Sequence, residues 1–146
     1  MSLDSPSFSA IAIDGPAASG KSTVARILAE RLGLTMVNSG EMYRAVTLAA
    51  VRRGVDPHDR AAVANMASEI DLSCVIENGS SLILLDGEHP GERLRSDKVN
   101  SSVSSVAAVS EVRHILVRLQ RGLLSHSDLV LSLIHISEPT RRYAIE

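Results

Sequence analysis

Gly15-Pro16-Ala17-Ala18-Ser19-Gly20-Lys21-Ser22 fits the pattern G-x-x-x-x-G-K-[ST] at every position. The chemistry of that spacing is the holding of a nucleoside triphosphate. Gly15 and Gly20 admit backbone conformations closed to residues with a Cβ, so successive N–H groups can turn inward on phosphate. A helix starting just after the loop adds the partial positive charge of its N-terminus at the same point. Lys21 is the expected catalytic cation, reaching the β- and γ-phosphates, and the Ser22 hydroxyl is the expected Mg²⁺ ligand. The expected triphosphate contacts are Gly15, Pro16, Ala17, Ala18, Ser19, Gly20, Lys21, Ser22 and Thr23. The alternative is a chance glycine turn, which the flanking strand and helix patterns disfavour.

A second cluster, Asn38-Ser39-Gly40-Glu41-Met42-Tyr43-Arg44, follows an apolar run and opens a helical pattern. It therefore lies at the carboxyl end of a strand, the side on which open α/β sheets bind ligands. Arg44 and Tyr43 are placed to receive the phosphate and base of an acceptor, the guanidinium bidentately. An incidental surface arginine is the competing reading. Leu82-Ile83-Leu84-Leu85-Asp86 has the form of a strand ending in a Mg²⁺-holding carboxylate. It also follows Asn78-Gly79, the strongest short-range hairpin signal, so the hairpin reading is preferred and Asp86 is not taken as a metal ligand. The histidines, at 58, 89, 114, 126 and 135, lack metal-ligand spacing and are expected to face solvent.

The elements that must position these groups alternate. Ser9–Asp14 reads as a strand, Val24, Ile27, Leu28 and Leu32 as one helical stripe, and Leu34–Val37 as a second strand. Ser39 is the expected cap of a helix running to Gly54, and Asp56-Pro57 the expected start of a third helix. Strand-like runs Asp71–Ile76 and Ser81–Leu85 flank the Asn-Gly turn, and two helical patterns follow. The second begins at Ser110 and carries Val112, Ile115, Leu116, Leu119 and Leu123 on one face. Its Arg113, Arg118 and Arg121 suit a solvated face. The alternation predicts a parallel α/β sheet with a small inserted antiparallel lobe.

The 146 residues, 45% hydrophobic and 22% charged, make one domain the expectation. A formal charge of −2 gives no case for nonspecific nucleic-acid binding, and 2% aromatics leave little for stacking single strands. No apolar run approaches the ~20 residues of a membrane span, and the N-terminus lacks the pattern of a secretory signal. The single cysteine, Cys74, suits a reducing compartment, so a cytoplasmic location is expected, with no protein partner indicated.

Beyond the phosphate loop, further clusters stand in series: Ile13-Asp14-Gly15-Pro16, Ser39-Gly40-x-Met42-Tyr43-Arg44-Ala45 and Leu85-Asp86-Gly87-Glu88. Arg95 with Val99, Ser104 with Val106-Ala107-Ala108, and Val112-Arg113 with Arg118-x-Gln120-Arg121 continue the order. From about Ser9 to about Leu129 the chain resembles the bacterial cytidylate kinases. The resemblance implies a P-loop nucleoside monophosphate kinase fold, with the hairpin in an inserted monophosphate-binding lobe spanning about 56–108. It implies transfer of the ATP γ-phosphate to CMP or dCMP. Ser39, Tyr43 and Arg44 would contact the acceptor, with Arg44 on its phosphate; Ser104 would recognise cytosine, and Arg113 would be a second acceptor arginine. A catalytically inactive nucleotide-binding fragment, or another small P-loop kinase acting on adenylate or a sugar, is the alternative.

Two departures accompany the resemblance. Asn38 stands where the family often has Asp, and from Leu131 the sequence no longer follows the family's Gly-Arg-Asp segment and arginine-bearing lid. The expected division is a disordered 1–8, a partial kinase domain 9–130, and a non-family tail 131–146. That tail reads as adaptor- or vector-derived sequence, with a divergent native C-terminus as the alternative. Loss of a lid arginine would slow phosphoryl transfer by ~10³–10⁵.

Overall fold

The structure, a computed structural model, describes residues 10–13, 21–124 and 129–132. Its sheet holds β1 (Ala10–Ile13), β2 (Thr35–Asn38), β3 (Leu72–Glu77), β4 (Ser80–Leu85) and β5 (Leu129–Ser132). The helices are α1 (Lys21–Leu32), α2 (Ser39–Arg53), α3 (Arg60–Glu69), α4 (Asp97–Ala107) and α5 (Ser110–Leu124), with a short 3-10 helix at Gly91–Arg95. The strand order is β1-β5-β2-β4-β3. Strands β1, β5 and β2 run parallel, and β3 and β4 form the antiparallel hairpin.

Two positive-φ residues, Asn78 at 51° and Gly79 at 76°, make the hairpin turn, the backbone that a two-residue connection demands. The hairpin does not stand apart from the sheet. The Met36 N–H donates to the Gly79 carbonyl at 2.9 Å, and β4 pairs parallel with β2 at Met36 and Ser80. Asp86 follows β4 in a left-handed conformation, its N–H bonded to the Asp71 carbonyl and its side chain exposed, as a hairpin end requires.

Helix α2 is the centre of the main core. Nine of its residues are buried, among them Ala45, Ala49 and Ala50, whose small side chains let neighbouring elements approach closely. Buried Thr47 is satisfied within the helix, its Oγ1 donating to the Tyr43 carbonyl at 2.8 Å. Gly54, in the left-handed conformation at φ 69°, ends the helix where the sequence places its stop. Val63 and Met66 of α3, Ile83 and Leu85 of β4, Val99 and Val103 of α4, and Val112 and Leu116 of α5 complete this core. Leu94, fully buried, closes it beneath the 3-10 helix. Truncation to Ala there should cost about 2–5 kcal/mol, a loss that urea unfolding of the variant would measure.

One local expectation is corrected. Asp56-Pro57 does not start α3: the Asp56 carboxylate accepts from the His58 N–H, a turn, and Asp59 caps the helix by accepting from the Ala62 N–H. The apolar stripe forms α1 as expected but divides. Val24 is 55%, Ile27 43% and Leu32 53% exposed, while Leu28, Ile13, Leu34 and Met36 pack against Ala25 and Ala29.

Candidate functional site

The strand register fixes where the two sequence clusters lie. Ile13 is level with Ser132 of β5, and Ser132 is level with Asn38 at the end of β2. The segment after Ile13 and the start of α2 therefore leave the same edge of the sheet, two strand spacings or ~10 Å apart. This is the carboxyl-end edge on which parallel sheets bind ligands. The phosphate-loop residues Gly15, Pro16, Ala17, Ala18, Ser19 and Gly20 lie outside the described residues. Their flanks are described: β1 ends at Ile13, and Lys21 and Ser22 are the first two residues of α1. The side chains of Lys21 and Ser22 lie outside the described part; Thr23, in the first turn, is exposed.

At the second cluster the cap is Asn38 rather than Ser39. Its Oδ1 accepts from the Glu41 N–H at 3.3 Å, a bond that Asp could make equally, so the departure to Asn leaves the helix start intact. The Asn38 N–H donates to Ser81 Oγ at 3.2 Å, tying the site edge to the hairpin. Ser39, at 1% exposure, and Tyr43, at 6%, are packed in the protein. Tyr43 lies within the main core.

Arg44 is half-buried one turn further on. Its Nη1 donates to the Leu94 carbonyl at 3.0 Å and to Oδ1 of Asn100 in α4, 56 residues away. Among the described residues no carboxylate lies within ion-pair distance of it. Burial lowers its pKa from the ordinary arginine value, the Arg95 charge lowers it further, and Glu41 opposes both. An arginine so placed stays cationic at neutral pH. Glu41 is engaged elsewhere, accepting from Arg95 Nη2 at 3.2 Å.

Ser104 is exposed on α4 one turn beyond Asn100, and so on the same helix face as the residue that meets Arg44. Arg113 is half-buried on α5, whereas Arg118 and Arg121 are exposed, as a solvated face requires. Among the histidines, His58, His89 and His114 are exposed; His126 and His135 lie outside the described residues. Among the described residues no three His, Cys, Asp or Glu side chains gather as a metal site.

Sequence reasoning gave no role to Glu41, Asn100 or the Leu94 carbonyl, and quoted Arg95 without one. Only the capping pattern Ser96-Asp97 hinted that the segment after Arg95 turns into a helix, and no local spacing links it to Arg44.

The cytidylate kinase family model matches residues 11–132, which takes in β1, the phosphate-loop segment, the arginine cluster and β5. The cytidylate kinase of Pelotomaculum thermopropionicum is 44% identical over 126 residues, covering 86% of this chain and 56% of that protein. That of Rhodococcus jostii is 42% identical over 121 residues, covering 83% and 53%, and that of Nocardia farcinica 43% over 131, covering 90% and 56%. The chain thus spans about half the length of the curated relatives it matches. With the family model matching residues 11–132, a range that takes in both clusters, the chain belongs to the cytidylate kinase family.

Proposed function

We propose that the chain carries the nucleotide sites of an ATP-dependent cytidylate kinase, transferring the γ-phosphate of ATP to CMP or dCMP. The observation that carries this reading is the register that brings the phosphate-loop flank and the Arg44 cluster to one sheet edge, ~10 Å apart. The triphosphate would sit on Gly15–Thr23 with Lys21 at its terminal phosphates; Mg²⁺ would come with it, Ser22 supplying a hydroxyl ligand. When bound, the cation neutralises charge on the phosphate oxygens. Arg44 would hold the acceptor phosphate, Ser104 would read cytosine, and Arg113 would assist at the acceptor.

The chain's own contribution is position and charge. An acceptor phosphate oxygen is already ionised near neutral pH, so no side chain needs to act as general base. That the similar proteins are cytidylate kinases supports CMP as the acceptor, and the place of half-buried, cationic Arg44 supports a phosphate there.

CMP should raise the unfolding temperature of the chain more than equal concentrations of AMP or GMP, through mass action on the folded state. Thermal unfolding followed by circular dichroism reads this directly. Equal protection by AMP would remove the cytidylate preference while leaving the phosphate-loop reading in place.

A further inference from the structure

We propose that Asn100 is a positioning residue of the acceptor-phosphate site, orienting the Arg44 guanidinium while leaving its charge unneutralised. This rests on the reading of Arg44 as the phosphate-binding arginine.

A guanidinium has five N–H donors in one plane, two of them on Nη1. Nη1 of Arg44 meets two acceptors, the Leu94 carbonyl and Asn100 Oδ1, which fixes the plane of the group. Nη2 and Nε remain, the pair of donors that matches two phosphate oxygens. Both acceptors are neutral. A carboxylate in place of either would hold the arginine as firmly but would compete with the phosphate for its charge.

Asn100 suits this task because its amide is itself held at both ends. Nδ2 donates to the Arg95 carbonyl at 3.1 Å while Oδ1 faces the arginine, so only one orientation of the amide satisfies both neighbours. Its backbone N–H donates to the Ser96 carbonyl at 2.9 Å, placing it in the capped first turn of α4. The surrounding charges follow the same logic. Glu41 is the nearby carboxylate, and Arg95 engages it. Arg44 and Arg95 against Glu41 leave one unit of positive charge in the cluster. Asn100→Asp would cancel it and would also set a carboxylate oxygen against the Arg95 carbonyl.

The test compares CMP with cytidine, which lacks the phosphate, by ligand-observed NMR titration of the 146-residue chain. Asn100→Asp should weaken CMP by roughly 10- to 100-fold and leave cytidine unchanged, because a charge introduced beside the anion acts on the phosphate alone. Asn100→Ala, which removes the acceptor without adding charge, should weaken CMP by a smaller factor, about 3- to 10-fold. Ala carries the test if the Asp variant does not fold, as judged by circular dichroism. CMP affinity within twofold of the unsubstituted chain in the folded variants overturns the role of Asn100 but leaves Arg44 as the phosphate site. An equal loss for CMP and cytidine marks a merely structural residue and also overturns it. No binding of CMP by the unsubstituted chain overturns the acceptor reading and this inference together.

Discussion

On the proposed function, Lys21→Ala is expected to lower ATP-dependent phosphorylation of CMP by about 10²–10³-fold, the usual cost of removing one preorganised cation or donor from a developing charge. The physical reason lies in the loop's design. Phosphoryl transfer leaves the protein little covalent chemistry, so the rate depends on where positive charge stands around the transferring group. Lys21 is the first residue of α1, and so shares its position with the positive end of the helix. Alanine is a strong helix former and keeps α1, which confines the loss to the ammonium. A coupled assay of ADP release gives the rate, and titration calorimetry with MgATP on both proteins gives the binding part. Equal rates and equal affinities would place Lys21 outside the site.

Much of this site can be read from local sequence, because local chemistry determines it. The pattern from Gly15 to Ser22, the Asn78-Gly79 turn and the Gly54 stop each depend on a few adjacent residues, and the turn and the stop stand where that reading puts them. The start of α3 is less legible: Asp56 and Asp59 are both good caps, and the choice of Asp59 follows from Asp56 being used in a turn around Pro57. Sheet order is not local at all. Strand β5 sits between β1 and β2, although it comes last in sequence, and nothing in Leu129–Ser132 announces that neighbourhood. The stripe on α1 shows the same limit: periodicity gives the helix, but not that Leu28 packs while Val24, Ile27 and Leu32 face outward. The partners of Arg44 are the clearest case. Leu94 and Asn100 reach it from elsewhere in the chain, 50 and 56 residues on, and only the packing of the 3-10 helix and α4 against α2 brings them there.

Arg44→Met should abolish the selective protection that CMP gives the fold while leaving protection by MgATP in place. Methionine keeps the length and much of the apolar stem, and propagates a helix well, so α2 and its core face are retained. What disappears is the fork. Its Nη1 bonds to Leu94 and Asn100 are the internal part of the loss; water can replace the arginine at exposed Asn100, whereas Leu94 is fully buried. The Nη2 and Nε donors are the external part. Hydrogen bonds to a charged group contribute about 1.5–3 kcal/mol, so CMP affinity should fall by roughly 10- to 150-fold. Arg44→Lys separates charge from geometry: a point charge on a flexible stem cannot present two parallel donors, so affinity should recover only in part. Thermal unfolding with CMP and with MgATP, repeated for both variants, reads all of this. If Arg44→Met retains full protection by CMP, the acceptor phosphate is held elsewhere, and Arg113 on α5 becomes the arginine to replace next.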